Sequence, residues 1–131
     1  CFGFEAVPKA HSGFYEAYLS LKADALAATI ELAQAQPHKR IFCTGHSLGG
    51  ALATFAAYDL AKLLEGRPVV MYNFGGPRVG NHTFKRLYDN AVPDTYRVVN
   101  EQDLVPSFPP AVTWFGGLYQ HVGKEVRMDG R

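Results

Sequence analysis

Gly45-His46-Ser47-Leu48-Gly49-Gly50 is the stretch on which the fold turns. Ahead of it lies Arg40-Ile41-Phe42-Cys43-Thr44, a short apolar run between basic residues and Gly45, which reads as a buried strand. Behind it, from about Leu48 to Leu64, an alanine-rich run ended by Gly66-Arg67-Pro68 reads as a helix. A serine at such a strand-to-helix turn is pushed up out of the backbone in a strained conformation. A hydroxyl is a poor nucleophile until it is exposed, oriented and paired with a base, so the placement points to catalysis. Gly45 and Gly49 flank Ser47, and a side chain at either is expected to strike the neighbouring helix or strand. His46 completes the turn. The helix that opens at Leu48 is expected to set its N-terminal dipole, and the Leu48 N–H, beneath a developing oxyanion. From Gly and Ser usage alone, G-x-S-x-G occurs by chance in roughly one chain of this size in twenty. The strand before it and the helix after it raise the pattern above chance.

Working outward, a helix is expected from about Ser12 to Gln36, with Ser12 as its cap and Pro37 as its stop. Phe14, Tyr18, Leu21, Ala25 and Leu32 recur at helical spacing, with Leu26 and Ile30 broadening the apolar face expected to pack in the core. Downstream, Val69 to Phe74 reads as a strand closed by Gly75-Gly76-Pro77. A short helix around Thr83 to Asn90, a strand from Thr95 to Asn100 and a fourth strand from Glu125 to Met128 follow. Strands alternating with helices imply an α/β fold with a mostly parallel sheet and flanking helices. No repeat, low-complexity tract or linker divides residues 1–131, so a single domain is expected.

The bulk composition narrows the function. Of the 131 residues, 47% are hydrophobic and 19% charged, a balance able to fill a core. The net charge is +1 with the cations scattered, whereas a nucleic-acid binder needs a basic stripe for phosphate contacts. No apolar run reaches the roughly 20 residues of a membrane-spanning helix. Two cysteines are too few for a disulfide framework. Cys43 is expected to be a small buried hydrophobe, while Cys1 leaves the redox compartment open. The chain opens without Met and reads as a fragment, so a missing targeting segment says nothing about location.

A sheet carrying such an elbow is an α/β-hydrolase pattern, in which the acid and then the histidine follow the serine. His11, His38 and His46 precede Ser47, which leaves His82 and His121. Only Asp59 and Glu65 lie between Ser47 and His82, both on the wrong side of the helix after the elbow, so His82 reads as a loop residue. For His121 the added acids are Asp89, Asp94, Glu101 and Asp103. Asp89 belongs to the short helix, and Asp94 precedes a strand, at the edge away from the carboxyl ends where reacting groups gather. Glu101 and Asp103 both remain, with a weak preference for Asp103 because Leu104-Val105-Pro106 would pin it. His121, in a loop just before the last strand, is then the expected general base, and the acid orients its imidazole. No histidine pair has the helical spacing of metal ligands, and neither metal nor cofactor is expected.

Five segments together resemble the class 3 (fungal-type) triacylglycerol lipases. They are Val7 to Phe14, Gly45 to Gly50, Gly76-Pro77-Arg78-Val79-Gly80-Asn81, Val99 to Pro106 and Tyr119-Gln120-His121-Val122-Gly123. The resemblance favours Asp103 over Glu101 and implies a Ser47–His121–Asp103 triad. It implies a carboxylic ester hydrolase of extracellular habit, acting on acylglycerols through an acyl-enzyme intermediate. Phospholipase A1, galactolipase and feruloyl esterase activities share that chemistry, and a non-catalytic lipase-fold interaction module is the alternative of another class. Pro77 to Asn81 reads as a structural loop bracing the acid-bearing turn. Pro109 and Pro110 shape the loop beyond it, with a cis bond open among Phe108, Pro109 and Pro110. Trp114, Phe115 and Leu118 are candidates for an acyl pocket or for ordinary packing. Members of the family are about twice as long, with an upstream strand and loop for a second oxyanion donor and with a lid. The chain therefore reads as truncated on its N-terminal side and is expected to be poorly active alone.

Overall fold

Four short strands lie side by side in one parallel sheet, in the order β1-β2-β3-β4. The computed structural model describes residues 7–111 and 118–128. Along the chain the elements are α1 (Ser12–Ala35), β1 (Ile41–His46), α2 (Leu48–Leu63), β2 (Val69–Phe74), α3 (His82–Ala91), β3 (Thr95–Asn100) and β4 (Lys124–Met128). A 3-10 turn at Val105–Ser107 interrupts the loop after β3. The register pairs Gly45 with Asn73, Phe74 with Val98, and Asn100 with Met128. Because every strand runs the same way, β1, β2 and β3 all deliver their following loops to one edge of the sheet.

The α/β expectation is met, but the burial is one-sided. Ile41 and Cys43 of β1 are buried, whereas Phe42 between them is 56% exposed. Tyr72 and Phe74 of β2 and all of β4 are exposed as well. Helix α2 covers the inner face, packing on β1 and β2. An apolar run of five residues looks the same whether one or both faces are covered, so the fully buried β1 expected from sequence is corrected here. Cys43 is a buried free thiol, as expected, and burial pushes its pKa up to about 11.

Helix α1 buries Tyr18, Leu26 and Ala33, but Leu21 and Leu32, expected on the packed face, are 55% and 61% exposed. Its apolar residues cover more of the circumference than α2 occupies. Its N-cap is His11 in extended conformation, not Ser12, and no side chain caps it. Arg67 closes the other end, its guanidinium donating to the Ala33 carbonyl and to those of Gln36 at 2.5 Å and Lys39 at 2.7 Å. Orphan carbonyls at a helix C-terminus need such donors.

Aromatic rings join the three helices. Phe55 lies 5.7 Å from both Tyr18 and Phe84, and Tyr58 stacks on Tyr88 at 6.4 Å. The Tyr18 hydroxyl donates to Asp59 at 2.6 Å, across α1 and α2. No helix among the described residues is long and apolar enough to cross a membrane.

Candidate active site

Ser47 is the N-cap of α2 and the only non-glycine at positive φ among the described residues, with φ 53° and ψ −123°. Its N–H donates to the Phe74 carbonyl at 3.0 Å, and its own carbonyl accepts from Gly50 at 2.9 Å. A backbone strained in this way persists only where its surroundings over-determine it. Those surroundings are tight at Gly45, where an added Cβ would lie 2.2 Å from the Gly49 carbonyl oxygen. The expectation for Gly49 is corrected: a Cβ there would meet nothing within 4 Å. The second close approach belongs to Gly50, whose Cβ would fall 2.8 Å from Asn73 Oδ1. That same oxygen accepts from the Gly76 N–H at 2.8 Å, and Asn73 is 2% exposed. Asn73 thus braces the elbow against the loop after β2. Its only sequence signal was a polar residue within an apolar strand. Leu48, as the first residue of α2, has an N–H without an intrahelical acceptor.

Asp103 stands at the same edge of the sheet. Its N–H donates to the Asn100 carbonyl at 3.0 Å, and its Oδ1 accepts from the Val105 N–H at 2.9 Å. The pin expected from Leu104-Val105-Pro106 is that Val105 N–H, since the Leu104 side chain is 75% exposed. Gly75, with φ +58°, forms the floor: a Cβ there would lie 2.3 Å from Asp103 Oδ2 and 3.8 Å from His46 Nε2. Asp103 and His46 therefore share one neighbourhood beside the elbow. Glu101 lines the same cavity of about 490 Å³ as Asp103 and His121.

His121 shares that cavity with Asp103, but its ring is bonded elsewhere. Its Nε2 lies 2.7 Å from the Pro106 carbonyl oxygen, so that nitrogen must carry the proton and donate. Its Nδ1 is buried and has no partner. Burial, with Arg97 next, pushes the imidazole pKa down to about 4. His121 precedes β4, which runs parallel to β3, and its ring turns to the loop after β3, lining one cavity with Asn100, Glu101 and Asp103. Among the described residues, no hydrogen bond joins His121 to Ser47 or to Asp103 in this arrangement. His82 is also corrected, being the first residue of α3, with Nδ1 3.2 Å from Gln120 Oε1.

Asn81 caps α3, accepting from the Phe84 N–H at 2.9 Å, and its Nδ2 donates to the Val7 carbonyl at 2.9 Å. The Phe108–Pro109 peptide is cis. Trp114 and Phe115 lie outside the described residues, and Leu118 is 50% exposed.

A family model described as "Lipase (class 3)" matches residues 2–113. The chain belongs to the class 3 lipase family. This class 3 lipase chain is 42% identical, over 120 residues, to the secreted mono- and diacylglycerol lipase 1 of Fusarium solani, covering 92% of itself and 34% of that protein. It is 29% identical over 161 residues to the chloroplastic phospholipase A(1) DAD1 of Arabidopsis thaliana, covering 98% of itself and 36% of that protein. A solved structure, described as showing that a serine protease triad forms the catalytic centre of a triacylglycerol lipase, superposes with a TM-score of 0.84. The identity there is 35%, over 95% of this chain and 48% of that one. The fold is thus that of the α/β-hydrolases, and the chain spans about a third of the length of the curated relatives it matches.

Proposed function

We propose that this chain carries the nucleophile and the acid of a serine carboxylic ester hydrolase that acts on acylglycerols. The observation that carries the proposal is Ser47, held at positive φ at the head of α2 with Asp103 alongside at the same sheet edge. Ser47 Oγ attacks the ester carbonyl, and the carbonyl oxygen becomes an oxyanion that the Leu48 N–H and the α2 dipole stabilise. The tetrahedral intermediate expels the alcohol to leave an acyl-enzyme, which water hydrolyses.

The base must be an imidazole that reaches both Ser47 and Asp103. His121 would have to give up the bond that its Nε2 makes to the Pro106 carbonyl. We assign the base instead to a part of the full-length protein outside this chain, which the modest span of its relatives supports. The second oxyanion donor belongs there too. The relative named as a secreted lipase supports extracellular action on lipid esters. Phospholipase A1 activity is the second reading, favoured by the relative of that name that matches 98% of this chain.

Hydrolysis of p-nitrophenyl butyrate, emulsified triacylglycerol and phosphatidylcholine by the full-length protein tests the proposal. Ester cleavage that Ser47→Ala abolishes supports it, and the substrate ratios separate lipase from phospholipase. Cleavage undiminished in Ser47→Ala refutes it.

A further inference from the structure

Within the loop that carries Asp103, the bonds are local: the Asp103 N–H to the Asn100 carbonyl, the Val105 N–H to Asp103 Oδ1 and the 3-10 turn at Val105–Ser107. Four consecutive carbonyls fix it to the rest of the molecule. Pro106 accepts from His121 Nε2 at 2.7 Å. Ser107 and Pro109 accept from Arg78 Nη1 at 2.6 Å and 3.0 Å. Phe108, between them, accepts from the main-chain N–H of Arg78 at 2.8 Å. Among the described residues, no other hydrogen bond ties residues 104–110 to a distant part of the chain.

The two donors are themselves joined. The Gln120 N–H donates to the Gly80 carbonyl at 2.8 Å, which ties the segment bearing His121 to the one bearing Arg78. The latter is moored to the start of α1, where the His11 N–H donates to the Val79 carbonyl at 2.8 Å. Arg78, His121 and Asp103 line one cavity. Asp103's own side-chain bond is local, to the Val105 N–H, so the carboxylate travels with its loop. Misplacing a reacting group by about 1 Å costs on the order of a hundredfold in rate.

We propose that Arg78 and His121 are positioning residues for Asp103, holding its loop by four carbonyls so that its carboxylate stays above Gly75 beside the elbow. Neither touches the reacting atoms, and the inference rests on Asp103 being the acid. Arg78 suits the task because its planar guanidinium serves two carbonyls from one fixed fork, which a lysine ammonium does not reproduce. His121 needs only one N–H, which a glutamine amide can supply.

The test is kcat and KM across pH for Arg78→Met, Arg78→Lys, His121→Leu, His121→Gln and Asp103→Asn in the full-length protein, with Ser47→Ala as the zero. Arg78→Met and His121→Leu are expected to lower kcat by about 10- to 100-fold with KM within about twofold. Arg78→Lys, with a single point donor for two carbonyls, should fall nearly as far as Arg78→Met. The acid limb of kcat should move to lower pH, because a base deprived of its carboxylate loses basicity. His121→Gln should recover most of the rate lost in His121→Leu. A His121→Gln variant as inactive as Ser47→Ala would make His121 the base and overturn the proposal. Wild-type kcat and pH profile in both Arg78→Met and His121→Leu, beside a collapsed Asp103→Asn, overturn the positioning role alone. Unchanged turnover in Asp103→Asn removes the acid assignment itself.

Discussion

Gly45 lies so close to the main chain of Gly49 that a Cβ on it would fall 2.2 Å from the Gly49 carbonyl oxygen. This contact lets the last turn of β1 and the first turn of α2 meet beneath Ser47. Gly45→Ala should therefore force the elbow apart and destabilise the fold by at least about 1–3 kcal/mol. Gly49→Ala meets no atom and removes a helix glycine, so it should raise stability by up to about 1 kcal/mol. Thermal unfolding of the two variants checks both signs.

Arg67 donates to three carbonyls at and beyond the end of α1, which reach it from Ala33, Gln36 and Lys39. Arg67→Met keeps the aliphatic stem and leaves these acceptors without their donor. A loss of about 1–3 kcal/mol is expected, read as a lower urea midpoint with an unchanged slope.

His121 predicts a pH dependence. Its folded pKa, near 4, lies below the ordinary 6.5, so the unfolded chain takes up the proton first as pH falls. Above about pH 6.5 the group makes no difference to stability. Between pH 6.5 and 4 stability falls with pH, and below 4 the effect is complete. With a discount for partial exposure, the loss should be about 2 kcal/mol. Unfolding free energies measured from pH 7.5 to 4 should fall less in His121→Gln than in the parent, and parallel curves would contradict the burial assigned to His121.

The order of strands and helices was legible because each is a continuous run with its own punctuation, such as Gly75-Gly76-Pro77 after β2. Burial was less legible. Phe42, Leu21 and Leu32 look like core residues in a one-dimensional pattern, yet which face a neighbour covers is decided by tertiary packing. That Ser47 and Asp103 reach the same edge was legible because each follows a strand of a parallel sheet. The bond of His121 to the Pro106 carbonyl was not legible, because that acceptor lies on a loop 15 residues away and leaves no local pattern. Asn73 and Arg67 act through the main chain of distant segments, and such partners leave no local periodic signal.

Covalent trapping tests the central claim most directly. The full-length protein would be treated with a p-nitrophenyl alkylphosphonate, whose phosphorus an activated serine attacks to form a phosphonyl-serine with loss of p-nitrophenolate. The expected result is one adduct per chain on the peptide containing Ser47, with ester hydrolysis lost in proportion and no adduct on Ser47→Ala. An adduct on another residue, or hydrolysis that survives full modification of Ser47, would contradict the assignment of the nucleophile.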